Sequence, residues 1–184
     1  MDALSILKRV LEIIQESMPA SDQTIDPNKH EENLKGAKSF QTSYKDAIEN
    51  LARDFAKVLN DRDFNALDSR AEYHLYTVDH LVELVKNNDE QNTLKAFKSY
   101  KIQSKYEDCE FVSITLNKSQ DQAEVVYHVI TCVMSADDKY FKELNKKRGK
   151  EDQITPGTPF STPYTLSVKK EKGIWKVDKF ETSK

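Results

Sequence analysis

The chain has 184 residues, of which 32% are charged and 38% hydrophobic, and its net charge is −3. An acidic balance argues against nucleic-acid binding through bulk electrostatics, because phosphate contacts need a basic surface. Every apolar run is shorter than the roughly 20 residues of a membrane span, so we expect a soluble, cytoplasmic protein. The alternative is an extracytoplasmic domain of a membrane-anchored protein, with membrane contact only if an N-terminal anchor was removed.

The first 40 residues predict an amphipathic helix followed by a polar tether. Residues 2–18 place apolar side chains at helical spacing, and residues 20–37 hold almost no large apolar ones. The apolar face must be buried against its own domain, a second subunit or a membrane, and protein is favoured because only Lys8 and Arg9 are basic. The residues that we expect to be buried on protein are Leu4, Leu7, Leu11 and Ile14.

The next 60 residues are helical in pattern. A helix is predicted to begin near Ser43, with Asp46 as its capping-box-like partner, and to end at residues 60–63. Two shorter helices are predicted over 64–76 and 77–86, the second begun by Thr77, and a last one over 91–100. The stripe of the first helix is Tyr44, Ile48, Leu51, Phe55, Val58 and Leu59.

Residues 106–136 predict two long strands joined by a polar turn at 117–122. In the first strand Val112, Ile114 and Leu116 alternate with polar residues, as in a half-buried strand. The second strand is apolar on both faces, so we expect helices on one face and the N-terminal helix or a partner subunit on the other. Because the helices precede the sheet, the fold class is α+β.

The last part of the chain returns to the same sheet. Residues 137–148 predict a charged helix capped by Gly149, and residues 154–163 a loop. A closing hairpin follows, with Gly173 in its turn. The dense basic cluster Lys146, Lys147, Arg148 and Lys150 is interpreted as a solvated helix end rather than a site for an acidic or phosphate partner.

Helices followed by long, bent antiparallel strands that end on Gly173, Trp175 and Val177 resemble the NTF2-like (cystatin-like α+β roll) superfamily over residues 41–181. The resemblance implies a cone of helices packed on a strongly bent antiparallel sheet, as a domain of residues 41–184 behind an appended segment 1–40. Its members include non-enzymatic VirB8-like subunits of type IV secretion and conjugation machines, and enzymes similar to ketosteroid isomerase or scytalone dehydratase.

Signals for chemistry are weak. The sequence contains no phosphate loop, cysteine cluster or dinucleotide fingerprint, so we expect no cofactor. His74 and His80 lack the spacing of a two-histidine metal site, and no metal is expected. The weak catalytic candidates are His128 with Asp108 or Glu110 across the hairpin, although a partly buried structural histidine is the favoured interpretation.

The primary hypothesis is therefore a non-enzymatic interaction or assembly module, as a homo-oligomer or with a protein partner. The alternative is a small-molecule-binding protein or an isomerase- or dehydratase-type enzyme that uses the cone. We expect the cone to be filled, however, by Phe55, Tyr73, Leu81 and Trp175. Assuming a regular hairpin register, Cys109 and Cys132 are diagonal neighbours on one face, slightly beyond disulfide reach, and both are predicted to be reduced.

Overall fold

A computed structural model describes residues 3–17 and 37–182, with side chains described from residues 5–16 and 44–182. The predicted tether, residues 20–37, lies outside the described residues except for its last position. The helices are α1 (Ala3–Ser17), α2 (Ala37–Asn60), α3 (Val78–Lys86), α4 (Asp89–Tyr100) and α5 (Asp138–Asn145). The strands are β1 (Arg62–Asp63), β2 (Gln103–Leu116), β3 (Gln122–Ser135), β4 (Pro159–Glu171) and β5 (Ile174–Thr182).

Most helices form where the sequence predicts them. Thr77 caps α3 by accepting a hydrogen bond from the backbone N–H of His80, which confirms the predicted start. The predicted start of α2 at Ser43 is wrong, because the helix already runs from Ala37. A helix over 64–76 is also wrong: that segment consists mainly of turns, with a single 3-10 helix at Tyr73–Leu75.

Two expectations for the region after β3 are corrected. Gly149 is not the C-terminal cap of α5, since its φ of −64° lies outside the left-handed region and it precedes a second 3-10 helix, Lys150–Asp152. The predicted loop over 154–163 is shorter, because β4 begins at Pro159. The closing hairpin is confirmed, and both turn residues, Lys172 and Gly173, have positive φ, as a type I′ turn requires.

The five strands pair in the order β1-β2-β3-β4-β5, and every neighbouring pair is antiparallel. The predicted turn between β2 and β3 is confirmed by the hydrogen bond from the N–H of Asn117 to the carbonyl of Gln122, 3.0 Å. β2 carries irregularities between Tyr106 and Asp108 and between Phe111 and Ser113, and each shifts its register with β3 by one residue. Such bulges bend a sheet and exchange which residues face its two sides.

The bulges decide how β2 is buried. Near the turn Ile114 and Leu116 pack on the core as predicted. On the other side of the bulge between Phe111 and Ser113, the residues of β2 that face the core are Cys109 and Phe111. Val112 lies at the bulge and is 63% exposed, so its predicted burial is wrong. The strong bend that results lets the strands wrap around α2.

The core lies between the inner face of the sheet and the helices. Phe55 of α2, Tyr127 of β3, Leu166 of β4 and Val177 of β5 are fully buried there. The fold is therefore α+β, with helices packed on a strongly curled antiparallel sheet, and it is consistent with the NTF2-like cone that the resemblance implies. The predicted division at residue 40 stays a prediction, and its boundary falls inside α2.

Candidate interaction surface

The interior of the cone is filled by side chains. Phe55, Tyr73, Leu81 and Trp175 are at most 7% exposed, which confirms the predicted filling. Aromatic rings contact one another through this region, with the Phe55 and Tyr76 ring centroids 5.6 Å apart and those of Phe111 and Tyr127 5.5 Å apart. Close-packed interiors of this kind leave few voids larger than a water molecule.

The weak catalytic candidates do not lie in the cone. The bulge at Val112 sets Glu110 directly opposite His128, where the regular hairpin register would have set Phe111, and the side chains of Glu110 and His128 are both exposed. The neighbours of His128 on β3, Tyr127 and Val129, point into the core, so His128 points to the outer face. Asp108 is exposed as well and forms an ion pair with Arg53 across 3.6 Å. His128 is therefore not in an acid–base site inside the cone, and the favoured interpretation of a partly buried structural histidine is wrong because the side chain is exposed.

Two further histidines, His74 and His80, have different surroundings. His74 is exposed, whereas His80 is partly buried, with its ring centroid 4.3 Å from that of Tyr76. Within the part of the chain that the structure describes, the buried Nε2 of His80 has no hydrogen-bond partner. Burial lowers the pKa of His80, because it disfavours the charged imidazolium. No group of three or more potential metal ligands occurs among residues 3–17 and 37–182.

Sequence reasoning missed a buried ion pair below α2. The guanidinium of Arg62 contacts the carboxylate of Glu72, and both side chains are at most 5% exposed. Burial raises the pKa of Glu72, and this effect is larger than the lowering of the pKa by the positive charge of Arg62. The Arg62 guanidinium also lies 5.6 Å from the centroid of the Phe97 ring. Nothing in the sequence signals this pair, because Arg62 stands in a polar helix break that is typical of solvated loops.

α1 is attached to the domain through one side only. Val10 and Ile13 are each 1% exposed, and the helix packs against α3 and the 3-10 helix at Tyr73–Leu75. Glu90 at the start of α4 joins the attachment, since its carboxylate accepts from Arg9 at 3.1 Å and from Arg70 at 2.9 Å. A further contact links Arg70 to Glu16. This network adds polar contacts to the packing of α1 on α3 and the 3-10 helix.

Two other apolar residues of α1, Leu7 and Leu11, face outward. We call Leu4, Leu7, Leu11 and Ile14 the leucine stripe. Leu7 is 55% and Leu11 51% exposed, Ile14 is partly buried, and the side chain of Leu4 lies outside the described residues. The expectation that α1 covers the outer sheet face is wrong, because its buried side packs on α3 instead. Contact of the stripe with another protein molecule stays a prediction.

The outer face of the sheet is a second partly apolar surface. Met134 is 51% exposed and Val112 63%, while Val126 and Ile130 are half-buried. Polar and charged side chains, including Glu110 and His128, interrupt this surface. The prediction that this face is covered by a partner subunit stays a prediction.

Cys109 and Cys132 are both buried and are not joined by a disulfide, and their reduced state stays a prediction. Their predicted placement on one face is wrong. The two bulges set Cys109 opposite Val129 and Cys132 opposite Lys105, instead of opposite Ile130 and Glu107. Because Val129 and Cys132 are three positions apart on β3, the two thiols lie on opposite faces of the sheet.

The basic cluster near α5 is exposed throughout, in agreement with a solvated helix end. Arg148 lies with its guanidinium carbon 5.9 Å from the centroid of the Phe160 ring. None of the helices in the described ranges is both long and apolar enough to cross a bilayer.

Comparison with known proteins gives similarity in structure alone. No family model matches the sequence, and no curated protein matches it. The intermembrane-space region of the chloroplast protein ARC6 is 11% identical with a TM-score of 0.46, and the match covers 77% of this chain and 94% of that one. An NTF2-like protein involved in plasmid conjugation is 11% identical with a TM-score of 0.49, over 77% of this chain and 50% of that one.

A periplasmic fragment of TraM is a third similar structure, 7% identical with a TM-score of 0.40, over 75% of this chain and 96% of that one. At such low identity the function of this chain rests on its own residues.

Proposed function

We propose that this chain is a non-enzymatic interaction or assembly module of NTF2-like fold, and that the leucine stripe of α1 binds a protein partner. The observation that carries this proposal is the exposure of Leu7 and Leu11 on a helix that is already docked through Val10 and Ile13. Fully burying a leucine side chain contributes about 1.5–3 kcal/mol. Two half-exposed leucines on one face therefore offer a partner a substantial gain in binding free energy.

The interior of the cone supports a binding role over catalysis. Phe55, Tyr73 and Trp175 occupy the space that a small-molecule substrate would need. His128 and Glu110 lie on the outer face of the sheet, and Asp108 is exposed and ion-paired with Arg53 of α2, so the three groups do not converge inside the cone. A reaction of the isomerase type needs such groups to converge in a pocket that excludes water.

We extend the proposal to a VirB8-like role in conjugation or type IV secretion. The two features on which that resemblance rests, the appended helix α1 and the closing strand with Trp175 and Val177, both form in the structure. In that role the domain would act outside the cytoplasm as part of a membrane-anchored protein, and its contacts would be with protein rather than nucleic acid.

Site-specific photo-crosslinking in cells tests the proposed function. A photoreactive residue in place of Leu11 is expected to give a discrete covalent adduct with protein. The matched control carries the same residue in place of Val112, which is exposed to a similar extent on the sheet, and is expected to give none. Adducts at Val112 alone would indicate that the partner binds the sheet rather than the leucine stripe. Absence of adducts at both positions would contradict an interaction module.

A further inference from the structure

The buried side of α1 lies in a groove that other helices of the domain form. The floor of this groove is apolar and consists of Tyr73 of the 3-10 helix and Leu84 and Val85 of α3. Its rim carries the carboxylates of Asp89 and Glu90, in the first turn of α4. We call these five residues the α1 groove. An apolar groove is a surface on which proteins bind the apolar face of an amphipathic helix.

α1 fills this groove incompletely. Val10 and Ile13 are each 1% exposed, but a cavity of about 50 Å³ remains, lined by Ile13 together with Tyr73, Leu84 and Val85. Because a site of about 10–15 Å³ is enough to hold a water molecule, this space is large enough for additional side-chain atoms. Side chains that line such a space lack contacts that a larger neighbour would make. The groove therefore accommodates a bulkier apolar side chain than that of Ile13.

The contact between α1 and its groove also has an excess of negative charge. Four carboxylates and two guanidinium groups meet there: Glu12, Glu16, Asp89, Glu90, Arg9 and Arg70. Arg9 is shared between Glu90 at 3.1 Å and Glu12 of its own helix at 3.3 Å. Asp89 is half-buried and forms no ion pair with any residue in the ranges 3–17 and 37–182. An occupant with more positive charge than α1 would therefore complement the rim better.

The connection between α1 and α2 allows α1 to leave the groove. Residues 18–36 separate the two helices, and a chain of that length spans at most about 65 Å. Among the described side chains of α1, only Val10 and Ile13 are fully buried, and the ion pair of Arg9 with Glu90 is partly exposed. Release of α1 thus breaks few buried contacts and leaves the core around α2 intact.

We propose that the α1 groove is a second protein-binding site, that α1 is its internal and displaceable occupant, and that the partner is a basic amphipathic helix with an apolar side chain larger than isoleucine at the position of Ile13. The proposal goes beyond the proposed function, because it concerns the side of α1 that faces the domain rather than the leucine stripe. A partner in solution competes with α1, so its apparent affinity is reduced according to the fraction of chains whose groove is open.

Fluorescence anisotropy of labelled synthetic peptides, with the whole chain as the binding protein, tests the proposal. The first peptide has the sequence of residues 1–18, and the second also carries Glu12→Lys/Ile13→Phe, which adds a cation and fills the cavity. The chain variant Val10→Asp/Ile13→Asp, which we call the released variant, should bind the first peptide at least about tenfold more tightly than the wild type does, because its groove is open. The second peptide should bind both chains more tightly than the first.

Further variants test whether the peptides bind in the groove. In the released variant, Leu84→Ala and Glu90→Lys should each weaken peptide binding, whereas Val112→Asp on the sheet should not, and circular dichroism checks that each variant folds. The single variant Ile13→Phe provides a test that does not depend on the released variant. It should slow hydrogen exchange in residues 3–17 and weaken the binding of both peptides, and faster exchange in that variant would overturn the proposal.

The remaining outcomes are distinct from one another. Equal peptide binding by the released variant and the wild type would refute the proposal, as would binding that Leu84→Ala and Glu90→Lys leave unchanged. A wild-type dimer that either peptide dissociates would assign the groove to α1 of a second copy and refute the proposed partner. Groove-dependent binding to anionic lipid vesicles, without peptide binding, would refute it as well. The photo-adducts at Leu11 test the leucine stripe alone, so this proposal and the proposed function fail separately.

Discussion

α1 and α2 are both amphipathic helices, yet the fold holds them in different ways. α2 buries Ile48, Ala52 and Phe55 completely, and its side chains contact β2, β3 and β5. Among the described side chains of α1, Val10 and Ile13 are fully buried, whereas Leu7 and Leu11 are half-exposed. The comparison shows that an amphipathic pattern predicts a helix and an apolar face, but does not tell how much of that face the chain will cover.

The ion pair near α2 is also more deeply buried than the ion pair that attaches α1. Arg62 and Glu72, below the end of α2, form an ion pair at most 5% exposed. Arg9 and Glu90, which tie α1 to α4, are 37% and 21% exposed. Removing one partner of a buried pair leaves an uncompensated charge, whereas exposed pairs contribute only about 0.2–1 kcal/mol. α1 therefore depends on weaker contacts than α2.

The largest expected effect is at Phe55. Phe55→Ala would leave a cavity where α2 meets the sheet and should lower the free energy of unfolding by about 3–5 kcal/mol. Chemical denaturation followed by circular dichroism measures the change. The neighbouring variant Asp54→Ala, on the exposed side of α2, serves as the control and should lie within about 0.5 kcal/mol of the wild type.

Ile13→Ala should release α1 without unfolding the domain. The lost burial is expected to weaken docking by about 2 kcal/mol or more, which hydrogen exchange would report as faster exchange in residues 3–17 and unchanged protection in α2. Leu11→Ala, on the exposed side of the same helix, is the control and should leave exchange in the monomer nearly unchanged. Equal acceleration of exchange in α2 would show that the two helices unfold together.

His80 on α3, the helix against which α1 packs, should make stability depend on pH. Because burial holds its pKa in the folded state below the unfolded value of about 6.5, the unfolded chain binds the proton more readily. The contribution of neutral His80 to stability is complete at pH values above its pKa in the unfolded chain. It is lost as the pH falls through that value toward the lower pKa of His80 in the folded state. In the His80→Gln variant the thermal melting temperature should fall less between neutral pH and about pH 5 than it does in the wild type. The His128→Gln variant, changed at an exposed position, should keep the pH dependence of the wild type.

The smallest expected effect is at Glu90. Burial by itself raises the pKa of Glu90, but hydrogen bonds and charges from Arg70 and Arg9 outweigh it and hold the pKa below its ordinary value. Glu90→Gln should weaken α1 docking by about 0.2–1 kcal/mol at low salt, and high salt should abolish the difference. Exchange in residues 3–17 at both ionic strengths measures it. Glu83→Gln removes a more exposed ion pair, with Lys86, that does not involve α1, and it should have no effect on α1.

Local signals in the sequence predicted much of the fold. The turn at 117–122, the Thr77 cap and the closing hairpin at Gly173 depend on residues close together in the chain, and all three are confirmed. The buried ion pair of Arg62 and Glu72 could not be predicted, since it joins residues that only the packed helices and sheet bring out of water.

The sequence by itself determined the order of the elements, the α+β class and the existence of an apolar stripe on α1, because these follow from periodicity and turn chemistry within short segments. Only the tertiary structure decided the bulges in β2 and the side of α1 that docks. Both depend on contacts between distant segments. The register of β2 against β3 exposed Val112 and separated the two cysteines, and α3 covered Val10 and Ile13 rather than Leu7 and Leu11. When the apolar arc of a helix is wider than one neighbouring element can cover, the sequence pattern does not specify which part of the arc is buried. The packing contacts determine it.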